Sequence, residues 1–172
     1  MSEVNVKERN VKDKLQGGKG HDAWQVDVFV YLHSPDPGHF TVESYLQSDP
    51  GNPDKLVFNN RYHPGFDVTF NLIDETGLNY RFPTPDDREN GIWSLMGTTC
   101  PNQAHHGWEV FEKSSIHVYG DGMALKAHNP NADDAVGDFK YTLNVGVDGH
   151  EPYLPLDPGG TNNNGMTSRQ DR

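Results

Sequence analysis

The sequence predicts an all-β protein, a single-domain antiparallel β-sandwich of about eight to nine strands in an immunoglobulin-like or jelly-roll arrangement. Three observations predict it. Short runs of β-branched and aromatic residues alternate with polar ones at a period of two, the signature of a half-buried strand. Those runs are separated by clusters of Gly, Pro, Asn and Asp, with 18 Gly and 12 Pro among 172 residues, which is the punctuation of turns. No long stretch repeats its apolar residues at helical spacing; the nearest, EVNVKERNVKDKL, spaces Val4, Val6, Val11 and Leu15 irregularly and is built from poor helix formers.

Residues 1–22 read as an extended N-terminal arm, with GGKG at 17–20 as a flexible linker. The sandwich domain spans 23–158. Its first strand, AWQVDVFVYLH (23–33), puts Trp24, Val26, Val28, Val30 and Leu32 on one face and stops at two prolines. HFTVESYLQ (39–47) follows and ends in the Pro/Gly-rich turn SDPGNPDK, and KLVFNN supplies a short third strand. GFDVTFNLI (65–73) turns Phe66, Val68, Phe70 and Leu72 inward, and the DETG turn predicts a hairpin returning through LNYRFP. SSIHVYGDGMALKAH (114–128) predicts a tighter hairpin. With Asp121-Gly122 central in a type I′ turn, Tyr119 faces Ala124, Val118 faces Leu125 and His117 faces Lys126. Ile116, Val118, Leu125 and Ala127 then share the apolar face. DFKYTLNVGV (138–147) is the last long strand, with Phe139, Tyr141, Leu143, Val145 and Val147 inward and Lys140, Thr142 and Asn144 toward water. A short run at 152–156 precedes a Gly/Asn-rich tail, residues 159–172.

Composition excludes several classes of function. The net charge is −11, and residues 23–160 hold 7 of the 14 basic and 20 of the 25 acidic residues, a net of −13. Such a body repels nucleic-acid phosphates and anionic membranes. The longest apolar stretch, Val26 to Leu32, contains Asp27 and is too short to span a bilayer. A single cysteine, a charged N-terminus without an apolar core and the lack of a membrane span lead to the expectation of a soluble, acidic, cytoplasmic protein.

The segment CPNQAHHGW (100–108) concentrates Cys100, His105, His106 and Trp108 in one loop. A catalytic thiolate needs an adjacent, oriented imidazole, which makes Cys100, His105 and His106 the candidate catalytic set. No helix opens here to lower the thiol pKa, and three ligands on neighbouring residues suit zinc or copper poorly. HNPNADDAVGD (128–138) resembles the start of a calcium loop. Asn129, Asn131 and Asp133 have the one-three-five spacing, but Asp134 stands where Gly is required and Lys140 where Glu is required. An irregular calcium site from Asn129, Asn131, Asp133, Asp134 and Asp138 is the alternative to a simple Asx-rich loop; no other cofactor is indicated. Phosphate-binding, dinucleotide and nucleophile-elbow motifs are all missing from the sequence.

Two functional expectations follow. The first is a non-enzymatic interaction module that self-associates into a homo-oligomer. It would do so through its arm, its tail or the second face of the first strand, where Phe29 and Tyr31 stand beside each other and need a cover. The alternative is a small-ligand or carbohydrate-binding, lectin-like sandwich, with calcium as a helper. It would use loops 60–64, 100–108 and 129–138 and the residues Tyr62, His63, Trp93, His105, His106 and Trp108, since rings stack on sugars and amides bond their hydroxyls. Enzymatic function trails both.

Overall fold

The computed structural model describes residues 23–36, 38–47, 54–58, 65–132 and 134–162. The arm, Tyr62, His63, Asp133 and residues 163–172 lie outside the described residues. The chain is an all-β sandwich of eleven strands in two sheets. β1 (Trp24–Leu32), β2 (Phe40–Glu43), β4 (Phe66–Asp74), β7 (His117–Tyr119) and β8 (Ala124–Asn129) form the first, in the order β2-β1-β4-β8-β7. The second contains β3 (Leu56–Phe58), β5 (Tyr80–Arg81), β6 (Ile92–Met96), β9 (Gly137–Val147), β10 (Leu154–Leu156) and β11 (Gly159–Asn162). Among the described residues no helix is long and apolar enough to cross a membrane.

The alternation read from the sequence decides the faces. Val28, Val30 and Leu32 of β1 and Val68 and Phe70 of β4 are fully buried toward the second sheet, whose Phe139, Tyr141, Leu143 and Val145 meet them. Phe58, Phe70, Phe111, Phe139 and Tyr141 form the centre, with ring centroids 5.7 to 6.1 Å apart and mostly tilted or edge-on, the arrangement the ring quadrupole favours. The hairpin forms in the expected register, His117 opposite Lys126, Val118 opposite Leu125 and Tyr119 opposite Ala124. Asp121 and Gly122 take φ values of 57° and 89°, as a type I′ turn demands. A Cβ at Gly122 would stand 2.8 Å from Arg81 Cβ and 3.0 Å from Phe82 O. Phe82 N donates to Gly122 O, so the hairpin tip rests directly on the chain just after β5.

Four expectations need correction. The sheets are mixed: β1 pairs with β4 in parallel and β3 with β11 in parallel. Parallel partners need a long crossover, and between β1 and β4 the chain contributes β2 to the first sheet and β3 to the second. The expected return of LNYRFP along β4 does not occur; β5 pairs with the end of β9, and β8 takes that edge of β4. Strand count rises because β6 and β11, outside the expected set, join β10 on β9. Finally, residues 159–162, assigned to the tail, are a sheet strand. Gly160 sits so close to Phe139 that a Cβ would lie 2.3 Å from the ring, so the missing side chain is what lets this strand pack.

On the outer face of the first sheet Gln25, Asp67 and His128 stand in one row across β1, β4 and β8. Gln25 Nε2 donates to Asp67 Oδ2 at 2.9 Å and His128 Nδ1 donates to Asp67 Oδ1 at 2.8 Å. Burial alone would raise the Asp67 pKa. The two hydrogen bonds and the positive charges of His128 and Lys126 outweigh it and hold the carboxyl below its ordinary 3.8. A depressed carboxyl stabilises the fold above its unfolded pKa and loses that contribution as pH falls through the folded value. Asp67→Asn is therefore expected to cost about 1 kcal/mol in urea unfolding near pH 7. The gap between variant and wild type should close as pH drops below 3.8; a gap that persists in acid would mean the carboxylate charge is not what the row depends on.

Candidate functional site

The site is built on the outer face of the second sheet. Successive residues of β6 point to opposite sides: Ile92 and Ser94 pair with inward Leu143 and Tyr141, Trp93 and Leu95 with outward Thr142 and Lys140. Thr142 and Asn144 were expected to face water. Both are buried, Asn144 at 2% exposure, because residues 85–91 and 97–108 fold over this face. The Thr142 hydroxyl is 2.8 Å from Pro101 O and 2.6 Å from Asp157 Oδ1, and Asn144 Nδ2 donates to Asn90 O at 2.7 Å. Polar side chains are tolerated under a loop when the loop's own carbonyls accept their protons.

Ser94 anchors the other end of the covering segment. Its Oγ accepts from Val110 N and Phe111 N, both at 3.1 Å, while its backbone receives Glu109 N and donates to Gly107 O. Asn102 closes the loop tip, its Oδ1 accepting from Ala104 N and His105 N at 2.9 and 2.8 Å. His106 Nδ1 lies 3.1 Å from both Asn102 O and Gln103 O. Carbonyls only accept, so Nδ1 carries the proton. The imidazole stacks on Trp93, centroids 4.3 Å apart and planes at 20°, and meets Trp108 edge-on at 5.6 Å. Trp108 Nε1 donates to Glu89 O, and Lys113 Nζ sits 4.5 Å above the indole.

Beside this stack opens a cleft of about 810 Å³. Asn90, Trp93, Asn102, Gln103 and His106 line it from the segments around β6, Asn144 from β9, and Glu151, Pro152, Tyr153 and Pro155 from the β9–β10 connection and β10. Asp87 ties the walls together from behind. Its Oδ1 accepts from Asn90 Nδ2 at 2.6 Å, its Oδ2 accepts from the Tyr153 hydroxyl, and Asn90 Oδ1 in turn accepts from Trp93 Nε1 at 3.2 Å. Burial, the bond to Asp87 and the charges of Asp87 and Glu151 all push the Tyr153 phenol well above its ordinary pKa, so it stays a donor.

Of the residues singled out from sequence, Trp93, His106 and Trp108 come together. His105 is exposed and contributes backbone to the loop turn. Cys100 is an exposed free thiol with no hydrogen bond to either histidine, so the nucleophile-base pair is not assembled. The calcium candidates are engaged elsewhere: Asn129 is a buried member of β8 bonded to Asn162, and its Oδ1 accepts from Asn131 N. Asp134 is exposed, and Asp138 is held by Thr161 and Lys55. Among the described residues no group of three or more His, Cys, Asp or Glu could hold a metal ion. Phe29 and Tyr31 lie half-buried on the outer face of the first sheet, between β2 and β4.

Sequence reasoning missed Asp87, Asn90, Asn144, Glu151 and Tyr153, whose signal was confined to Trp93 and its loop. It also missed a hydroxyl-imidazole-carboxylate line, Thr41 Oγ1 to His33 Nε2 and His33 Nδ1 to Glu75 Oε1, both 2.7 Å. The nearby amides of His33, Glu75 and Thr76 are spent on His39 O, Leu32 O and Asp74 Oδ1. Those three amides are therefore not open to an oxyanion, and the line ties β1, β2 and the turn after β4 together at the surface. Compared with protein-family models and with curated proteins, the chain matches none.

Ser94→Ala would leave the Val110 and Phe111 amides buried without acceptors. The expected cost is about 2 to 4 kcal/mol of unfolding free energy, together with faster amide exchange at both positions; unchanged exchange would show that the segment is held by other contacts.

Proposed function

We propose that the protein is a non-enzymatic binding module whose cleft takes a small, hydroxyl-rich ligand of the saccharide class. One observation carries this. Asn144 is buried in the cleft floor with its Nδ2 committed to Asn90 O, which fixes the amide's orientation, while its Oδ1 has no protein partner among the described residues. A fixed acceptor beside the amides of Asn90, Asn102 and Gln103 and the rings of Trp93, His106 and Tyr153 suits a ligand with several hydroxyls and an apolar face. The volume, about 810 Å³, falls inside the ~300 to 1,000 Å³ of small-molecule sites.

A panel of mono- to trisaccharides, screened by thermal melt and followed by calorimetry, tests the reading. At least one member should raise the midpoint, and Asn144→Ala should weaken its binding about tenfold; a panel without any shift removes the proposal. Calcium or EDTA should leave the midpoint unmoved, since Asn129 Oδ1 and Asp138 Oδ1 already serve protein donors.

Self-association is a second reading, supported by the strip of Phe29, Tyr31 and Ile73, half-buried neighbours across β1 and β4. Sedimentation at micromolar concentration should show a species heavier than the monomer that Phe29→Lys disperses; a monomer at every concentration would dispose of it.

A further inference from the structure

The cleft has a definite electrical sign. Among its ten lining residues the one carboxylate is that of Glu151, and none is lysine or arginine. Glu151 is exposed and makes no ion pair among the described residues. Asp87 stands directly behind the wall, and both of its oxygens are bonded to neutral groups, Asn90 and Tyr153, so its charge is oriented without being cancelled. No lysine or arginine of the neighbouring segments reaches the lining. Lys113 lies 3.5 Å from Glu89 Oε2 and caps Trp108, and Arg88 Nη1 donates to Pro85 O. The surrounding body, residues 23–160, carries a net of −13, and a cleft lined by one sign concentrates ligands of the other.

We infer that the cleft selects its ligand by charge: it takes saccharides bearing a free ammonium group ahead of neutral ones, and refuses those bearing carboxylates. This rests on the saccharide-binding reading above. The ammonium would be met by Glu151, with the field of Asp87 behind it, while the remaining hydroxyls meet Asn144 Oδ1 and the loop amides. A uronic acid would place its carboxylate against Glu151 with no lysine or arginine in the lining to receive it.

The test is calorimetric titration near neutral pH with three trisaccharides of equal length, of glucosamine, N-acetylglucosamine and a hexuronic acid. The probes are run against the wild type, Glu151→Gln and Asp36→Asn. Asp36 is an exposed carboxylate in the turn after β1, 76% accessible, and controls for general attraction to the acidic body. Wild type should bind the glucosamine trimer most tightly and the uronic acid trimer least. Glu151→Gln should erase about fivefold of the preference for the cationic over the neutral trimer, and Asp36→Asn should keep the full preference. If the three trimers bind equally, or if both variants change the order alike, charge selection by the cleft is overturned while saccharide binding stands. If none of the three binds, the underlying reading falls with it.

Discussion

Everything in this structure leans on the fact that β9 is buried on both faces. Its inward residues Phe139, Tyr141, Leu143 and Val145 form one wall of the core, and its outward Thr142 and Asn144 form the floor beneath the covering loops. β6 and β11 both register with residues 139 and 140, and β6 and β10 both with Leu143. The strand therefore has partners along both edges as well as cover on both faces. A strand in that position cannot move without disturbing the core and the cleft together. Burying Thr142 and Asn144 is affordable only because carbonyls of Pro101 and Asn90 arrive at bonding distance, so loop conformation and strand sequence specify each other.

Adjacent side chains on β6 make the coupling concrete. Ser94 points inward and holds the amides that lead Phe111 into the aromatic centre, while Trp93 points outward and carries His106 on its face. One strand thus fixes both a central core ring and the ring stack of the cleft. Asp87 completes the outer half by joining Asn90, and through it Trp93, to Tyr153 on the opposite wall. Walls tied in this way present their polar atoms in set directions before any ligand arrives, which spares the ordering cost that binding otherwise incurs.

How much of this could be read from sequence follows from where the information is stored. Face assignment is local, because alternation along β1 and β4 says which side chains point together, and the Asp121-Gly122 turn fixes the β7-β8 register through its own φ angles. Strand direction and partner choice are not local: Val26 to Leu32 would show the same alternation beside a parallel or an antiparallel neighbour, so the pairing of β1 with β4 and the capture of β5 by β9 left no trace. The convergence of Trp93, His106 and Trp108 was legible because both tryptophans bracket one loop. Asn144 was not, since a polar residue alternating with apolar ones looks the same whether water or a loop covers it. Asp87 is far from Asn144 in the chain and is brought to it only by the fold, while Glu151 and Tyr153 sit on the β9–β10 connection, where nothing in the sequence marks them as facing Asn144.

The proposed reading has the cleft hold a ligand without transforming it. Proton transfer needs a group that can change state near neutral pH and a partner within hydrogen-bond reach that can use the proton. Tyr153 is pushed away from ionising, and its proton is directed at Asp87. Asp87 has both oxygens occupied, and His106 spends Nδ1 on two backbone carbonyls while its ring face rests on Trp93. Cys100 stands outside the lining altogether. What remains is a set of amide dipoles, ring faces and one carboxylate, each immobilised by a named neighbour or left open to solvent. On the proposed reading, fixed dipoles of that kind would discriminate by matching hydroxyls and charge, and a site organised that way gains from rigidity.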